Sequence, residues 1–299
     1  MRIFVTGGTG FVGRTLCRVL TAHGHQLKCL VHRGSPPLDA GIEAVSGDLF
    51  DPGSLAARIA GVDAVIHLVG IIRESPSRGV TFEKLHHQAT ASIVAACEQA
   101  GVRRYLHMSA NGTRADSVSQ YHRTKWLAEE RVRQSSLDWT IFRPSLIYGP
   151  EDQFINLISG LIRRLPVIPV MGDGRYQLQP VPVEQVAAGF AAALSQEKCL
   201  GATYHCGGAD CISYNQMLDL VAAALGRRRP RKLYQPLSLM QPLVRLLQHI
   251  PLFPMTSDQL QMLIEGNCCD IGPWAADCDI DPMPFADGLH YLTKKQPRP

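Results

Sequence analysis

The chain has 299 residues, 45% of them hydrophobic, and a formal net charge of +4. That length allows one large or two modest domains with a packed core, and the mild charge argues against a nucleic-acid partner. Nine cysteines are scattered without a C-x-x-C pair, which reads as a reduced, cytoplasmic protein; Cys268, Cys269 and Cys278 fit no standard zinc spacing, so no metal is expected.

Ile3 to Val5 predicts a buried first strand so near the N-terminus that it leaves no room for a secretory leader. No apolar run reaches the length of about 18 residues that a spanning helix needs. The expectation is a protein that is neither secreted nor membrane-spanning. Directly after the strand comes Val5-Thr6-Gly7-Gly8-Thr9-Gly10-Phe11-Val12-Gly13, three glycines spaced G-x-x-G-x-x-G, and then apolar residues at helical spacing from Phe11 to Leu20. Strand, glycine turn and helix are the context in which such a triplet holds a dinucleotide. Gly7 permits the turn, Gly10 permits close approach of a pyrophosphate, and Gly13 permits the helix to pack on the sheet. The helix N-terminus supplies N–H groups for the phosphates.

Further strands are predicted at 26–32, 42–45, 64–68, 104–108 and 139–142, with helices at 54–59, 82–99 and 121–133. This alternation predicts an α/β fold, a Rossmann-type doubly wound parallel sheet. Beyond Pro144 the pieces shorten: helices at 154–164, 183–194 and 214–225 and a strand at 202–206 predict a small α/β cap on the substrate side. Arg227 to Lys232 reads as a solvated basic loop between a helix and a strand. Residues 236–264 carry only Arg245 and Asp258 as full charges and are broken by prolines at 236, 242, 251 and 254. They predict short amphipathic helices that pack on their own domain or dock on a membrane face or a protein complex. The expected organisation is a nucleotide-binding core over 1–150, a cap interleaved with it over 151–235, and an apolar helical tail over 236–299.

Tyr121 and Lys125 form a Y-x-x-x-K pair on one face of a predicted helix, and Ser109 ends the fifth strand twelve residues before Tyr121. A phenol is a poor base at neutral pH, and a neighbouring ammonium favours its ionised form. Cofactor choice rests on the end of the second strand. About 20 residues past the glycines an NAD site carries a carboxylate, whereas an NADP site carries an arginine. Here stand His32 and Arg33 with no acid beside them, so NADP(H) is preferred, with NAD(H) the alternative.

With the glycine turn, the Ser109, Tyr121 and Lys125 trio resembles the short-chain dehydrogenase/reductase family. Thr6 to Gly13, Ser119-Gln120-Tyr121 to Lys125 with Glu129, and Arg143 to Asn156 are similar to its atypical extended branch, which includes the NADPH-binding accessory subunit of respiratory complex I and bacterial relatives, over residues 1–226. The resemblance implies that Tyr121 is the acid/base, that Lys125 bonds the nicotinamide ribose and that Ser109 holds the substrate oxygen. It places cofactor contacts at Gly7, Thr9, Gly10, Phe11, Val12, Gly13, His32, Arg33, Asp48, Leu49, Leu68, Val69, Gly70, Lys125 and Pro144. Three functions follow as expectations. The first is an NADP(H)-dependent oxidoreductase acting on a small carbonyl or alcohol. The second is a non-catalytic NADP(H)-binding protein docked on a membrane complex. The third, a nucleotide-sugar epimerase or dehydratase, is disfavoured by Arg33 and by the short loop between Ser109 and Tyr121.

Overall fold

The computed structural model describes residues 1–32, 34–248, 250, 253 and 255–293. In chain order the elements are β1 (Arg2–Thr6), α1 (Phe11–Ala22), β2 (Gln26–Val31), β3 (Glu43–Ser46), α2 (Pro52–Ile59), β4 (Ala64–His67), α3 (Ala89–Ala100), β5 (Arg104–Met108), α4 (Gln120–Arg133) and β6 (Asp138–Pro144). They continue with β7 (Ile147–Tyr148), α5 (Phe154–Arg164), β8 (Val167–Met171), β9 (Gln177–Leu178), β10 (Val181–Pro182), α6 (Val183–Ala193), β11 (Ala202–Cys206), β12 (Ile212–Ser213) and α7 (Tyr214–Ala224). The last are β13 (Arg231–Gln235), α8 (Leu237–Leu247), α9 (Ser257–Glu265), α10 (Gly272–Cys278) and α11 (Phe285–Gly288). Two compact units form: Met1–Pro144 with Val183–Cys206 and Asp270–Asp281, and Ser145–Pro182 with Gly207–Cys269 and the chain from Pro282 onward.

In the first unit, seven strands lie in the order β11-β6-β5-β4-β1-β2-β3. All of their pairings are parallel. The chain runs outward from β1 to β3 and then crosses to β4 on the other side of β1, so the direction of winding reverses between β1 and β4. Ligands of such sheets bind in the crevice at the strand carboxyl ends where this reversal occurs. Side chains alternate across the sheet. Phe4, Val65, Tyr105 and Ile141 face one side, packed with Leu55 and Ile59 of α2, Ile93, Val94 and Cys97 of α3, and Val132 of α4. Phe142, the next residue after Ile141, faces the other side and stacks on Phe190 of α6 with ring centroids 4.1 Å apart. Both α6 and β11, read above among the cap pieces, thus belong to the sheet unit, and β11 is its edge strand.

Local chemistry sets the element ends. Asp51 accepts a hydrogen bond from the Ser54 N–H at 3.0 Å, capping α2 ahead of Pro52. Gly101 ends α3 in the left-handed conformation. The single helix expected over 82–99 instead opens with a widened π-helical turn, Glu83–Gln88. Hydrophobic spacing does not register one inserted residue.

In the second unit, Ile155, Ile158 and Ile162 of α5 pack with Met217, Leu218 and Val221 of α7, Ile168 and Val170 of β8, and Leu289 and Leu292. Strand pairs β8–β13, β9–β12 and β7–β10 border this core. Within 236–264 the chain forms α8 and α9; Pro236 is the N-cap of α8, Pro242 lies inside that helix without ending it, and Pro251 and Pro254 lie outside the described residues. The cysteines, all expected to be reduced, include one disulfide, Cys211–Cys268, with Cα atoms 5.8 Å apart. It joins residues 57 apart in sequence, a separation at which spacing gives no pairing signal.

A buried ion triad fixes α4 to β6. Glu129 is wholly buried, and its carboxylate accepts from Arg143 Nε at 2.8 Å and Nη2 at 2.6 Å and from Arg133 Nη2 at 2.6 Å. Removing the carboxylate strands the largely buried Arg143, while Arg133 keeps Glu130 at 2.8 Å. Glu129→Ala is therefore expected to lower the unfolding free energy by about 3–5 kcal/mol in urea titrations; a change under about 1 kcal/mol would show that the triad does not anchor the helix.

Candidate nucleotide and active site

The glycine turn forms between β1 and α1 as its spacing predicts. Gly7 has φ of +80°, and a Cβ there would come within 3.1 Å of the Leu68 carbonyl carbon. Gly7 thus passes directly beside Leu68 and Val69 at the end of β4. A Cβ on Gly13 would collide with the Gly7 carbonyl, so α1 seats its first turn on the loop itself. Gly10 is the N-cap, its N–H donates to Gly7 O at 3.0 Å, and no side chain caps the helix. The N-terminal N–H groups of α1 therefore face the crevice with a positive dipole end. Thr9 is held by Arg14, whose Nε donates to its carbonyl at 3.2 Å; Phe11 is half-buried and Val12 buried. This cradle fits a dinucleotide pyrophosphate.

The other cofactor candidates lie along the same sheet edge, at different depths. Asp48 is exposed and accepts from the Phe50 N–H at 2.9 Å, while Leu49 packs toward the α2–α3 core. His32 is exposed and bonds Ser35 through Nδ1. Arg33 lies outside the described residues. Pro144 is buried at the end of β6, its carbonyl accepting from the Asn111 N–H at 2.8 Å.

Lys125 and Ser109 meet where β5 ends, and Tyr121 stands one turn before Lys125 on α4. Lys125 is 3% exposed, and its Nζ donates to the carbonyl of Met108 at 2.9 Å, one residue before Ser109. Ser109 is buried, its hydroxyl 3.3 Å from that of Thr113. Tyr121, one helical turn before Lys125, is 8% exposed. Its ring takes the edges or faces of Phe82, His86 and His122 at centroid separations of 5.7, 5.2 and 5.3 Å. Burial pushes the Tyr121 phenol up to about 12 and the Lys125 ammonium down to about 8, Glu129 opposing the latter shift. In this state the phenol is therefore held protonated by desolvation; the lysine charge is aimed at Met108. Gly70 makes room for that charge: a Cβ there would stand 3.0 Å from Lys125 Nζ and 3.6 Å from His86 Nε2.

Sequence reading did not single out a row of buried histidines behind the site. Thr6, His67 and His107 are in register on β1, β4 and β5. Thr6 Oγ1 lies 2.6 Å from His67 Nδ1, and the His67 and His107 rings stack at 5.6 Å. His86 comes from the widened turn. Burial first, and the Lys125 charge second, drive His67 down to about 3 and His86 to about 2. His107 falls well below its ordinary value through burial, with His67 and then Lys125 adding to the shift. Period-2 patterning identifies such residues as strand positions; only the register reveals them as one row.

These histidines are protonated in the unfolded chain below about pH 6.5 and stay neutral in the folded one, so acid favours unfolding. Stability should be complete above that pH and fall as the pH drops from about 6.5 toward 3, by about 1.4 kcal/mol per pH unit for each group. Urea titrations at pH 7 and 5 test this; equal midpoints would contradict it. Gly70→Ala should fold and weaken NAD(P)H binding about tenfold, measured by nucleotide fluorescence, because the methyl displaces the lysine head; unchanged affinity would show that the head is not needed there.

Comparison with known proteins identifies the family. Residues 3–207 match the NAD dependent epimerase/dehydratase family. Subunit 9 of the mitochondrial NADH dehydrogenase [ubiquinone] 1 alpha subcomplex from Arabidopsis thaliana is 32% identical over 279 residues, covering 88% of this chain and 68% of that protein. A 2-alkyl-3-oxoalkanoate reductase from Stenotrophomonas maltophilia is 30% identical over 264 residues, 78% of each chain. The crystal structure of gox2253 superposes with a TM-score of 0.77 at 26% identity, covering 97% of this chain and 96% of that one. UDP-glucose 4-epimerase from Thermotoga maritima, at 18% identity, covering 98% of each chain, and a TM-score of 0.77, shares the fold. Fold, glycine cradle and sequence together establish that this chain belongs to the NAD-dependent epimerase/dehydratase family, within the short-chain dehydrogenase/reductase group.

Proposed function

We propose that this protein binds NADP(H) and transfers hydride between it and a small carbonyl or alcohol, with Tyr121 as the acid/base. The observation that carries the proposal is the burial of Tyr121 and Lys125 one turn apart on α4, with Lys125 bonded to the end of β5. The similarity to a 2-alkyl-3-oxoalkanoate reductase across 78% of both chains supports a carbonyl substrate. Arg33 and the lack of a carboxylate at the end of β2 support the 2'-phosphate form of the nucleotide.

The bound nucleotide supplies the hydride acceptor or donor. The chain's own residues handle the proton. In the reducing direction the protonated Tyr121 phenol gives its proton to the substrate oxygen as hydride reaches the carbonyl carbon, and an alcohol leaves. The phenolate that remains is favoured by the Lys125 ammonium one turn away and recovers its proton from solvent. Ser109 orients the substrate oxygen through its hydroxyl. Because Lys125 is charged below about pH 8, kcat/KM for reduction should be level below that pH and decline above it.

The test is a stopped assay of NADPH oxidation against a panel of short ketones and 3-oxoacids. Tyr121→Phe should lower kcat by at least about 100-fold with KM changed little, and Arg33→Ala should raise the Kd for NADPH about tenfold while sparing NADH. A Tyr121→Phe variant as active as the parent would remove the acid/base role, and equal affinity for the two nucleotides in the parent would remove the NADP(H) preference.

One observation favours a second reading, a nucleotide-holding protein docked on a membrane or protein complex. Helix α8 buries Val244 but presents Leu239, Leu243 and Leu246 at 67%, 42% and 74% exposure, an apolar stripe at helical spacing with no acidic residue. The similarity to complex I subunits agrees with it. Replacing the exposed Leu239 and Leu246 by glutamate should then release the protein from a membrane or complex fraction; unchanged partitioning would contradict docking.

A further inference from the structure

The widened turn before α3 places one side chain where an ordinary helix would not. The Ala89 N–H reaches back five residues to the Lys84 carbonyl as well as to His86, and the hydroxyl of Thr90 donates to the His86 carbonyl at 2.6 Å. The inserted residue is thereby absorbed, and His86 turns inward with 1% exposure. Its ring stacks on Phe82 at 5.3 Å and meets the Tyr121 ring edge-on at 5.2 Å. Nδ1 lies 2.9 Å from Thr124 Oγ1 on α4, and Nε2 lies 3.2 Å from the Ile71 nitrogen and 3.1 Å from the Ile71 carbonyl.

One neutral tautomer satisfies these partners in the following way. Thr124 Oγ1 is also 2.9 Å from the Gln120 carbonyl, and in this form its one proton goes to that carbonyl while the hydroxyl accepts from Nδ1–H. Nε2 then accepts from the Ile71 N–H. In the opposite tautomer Nε2–H donates to the Ile71 carbonyl at 3.1 Å and the Thr124 hydroxyl donates to Nδ1, so either neutral form ties the ring to the same two elements. A single neutral imidazole thus bridges two elements: α4, between Tyr121 and Lys125, and the Gly70–Ile71 segment that leaves β4 at the crevice.

We propose that His86 is a positioning residue, a neutral clamp that fixes the Tyr121–Lys125 helix against the Gly70–Ile71 segment and so sets the nicotinamide end of the site. The proposal rests on the nucleotide-binding reading above. Neutrality is required by the surroundings, because a protonated ring would stand beside the Lys125 ammonium in a dry pocket. Packing alone does not account for the placement: a phenyl ring would fill the same space between Phe82 and Tyr121, whereas two directed bonds tie the imidazole to two separate elements. The ring is carried by the π-turn Glu83–Gln88, in keeping with the concentration of such turns at functional sites.

The test separates ring from bonds. His86→Phe keeps the stacking and loses both hydrogen bonds; Thr124→Val removes the α4 bond alone. Measured by nucleotide fluorescence on folded protein, the Kd for NADPH should rise about tenfold in His86→Phe and about threefold in Thr124→Val, and the double variant should be no weaker than His86→Phe, since both changes break one link. Where turnover of a carbonyl is found, kcat should fall further than KM rises, and His86→Asn, which can still donate to Thr124, should recover part of kcat. A folded His86→Phe with NADPH affinity within twofold of the parent overturns the clamp, as does a double variant whose losses simply multiply. If His86→Phe does not fold, Thr124→Val decides by the same affinity criterion. If the parent binds NADPH but reduces no carbonyl, the reaction proposed above fails while the affinity series still judges the clamp.

Discussion

A lysine ammonium taken out of water at the end of a central strand is the constraint on which the rest of the site depends. Lys125 is held by the Met108 carbonyl and faces a glycine whose missing side chain makes room for it. An unpaired buried charge is costly, and its surroundings are adjusted accordingly. The imidazoles of His67, His86 and His107 stay neutral, and the one carboxylate of the helix in its vicinity, Glu129, is shared with two arginines on the side of β6. The same dryness keeps the Tyr121 phenol protonated. One physical cause, desolvation, thus pushes the two groups in opposite directions on the pH scale, the acid made weaker and the cation made easier to discharge.

The glycine cradle and this dry pocket meet at the sheet because β1, β4 and β5 are neighbours. Gly7 follows β1, Leu68 to Gly70 follow β4 and Ser109 follows β5, and the three strands are in parallel register. A ligand bound with its phosphates at α1 would run along consecutive strand ends toward Tyr121. The cradle explains binding by itself. Chemistry requires in addition that the phenol and the ammonium be placed against the same end of that ligand, which makes α4 and its anchors the elements on which a catalytic reading stands. Family membership does not decide between turnover and holding, since the similar proteins include both a named reductase and subunits of a respiratory complex.

Much of this was legible in the residues. The G-x-x-G-x-x-G turn between an apolar run and an amphipathic helix gave the nucleotide cradle, and the Tyr121–Lys125 spacing gave a shared helix face, because both are local patterns with a fixed period. What escaped depends on long-range register or on one-residue insertions. His67 and His107 read as unremarkable strand positions until the strands pair, and His86 sat within a stretch whose hydrophobic spacing suggested an unbroken helix. Cys211 and Cys268 are joined only because the chain returns across the second unit. The strand Ala202–Cys206 was located by its pattern, but its place at the edge of the main sheet follows from pairing with β6, which no local signal specifies.

The central claim is that the nicotinamide end of a bound nucleotide lies against Tyr121 and Lys125 in a pocket open to a substrate. A crystal structure of the protein with NADP+ tests it most directly. The account predicts pyrophosphate at the N-terminus of α1, ribose hydroxyls within about 3 Å of Lys125 Nζ, and the nicotinamide ring beside the Tyr121 hydroxyl with room for a small carbonyl at hydrogen-bond distance. A nucleotide whose nicotinamide points away from α4, or whose ring is sealed from any substrate by packed side chains, would contradict it and leave a protein that holds its dinucleotide without using it.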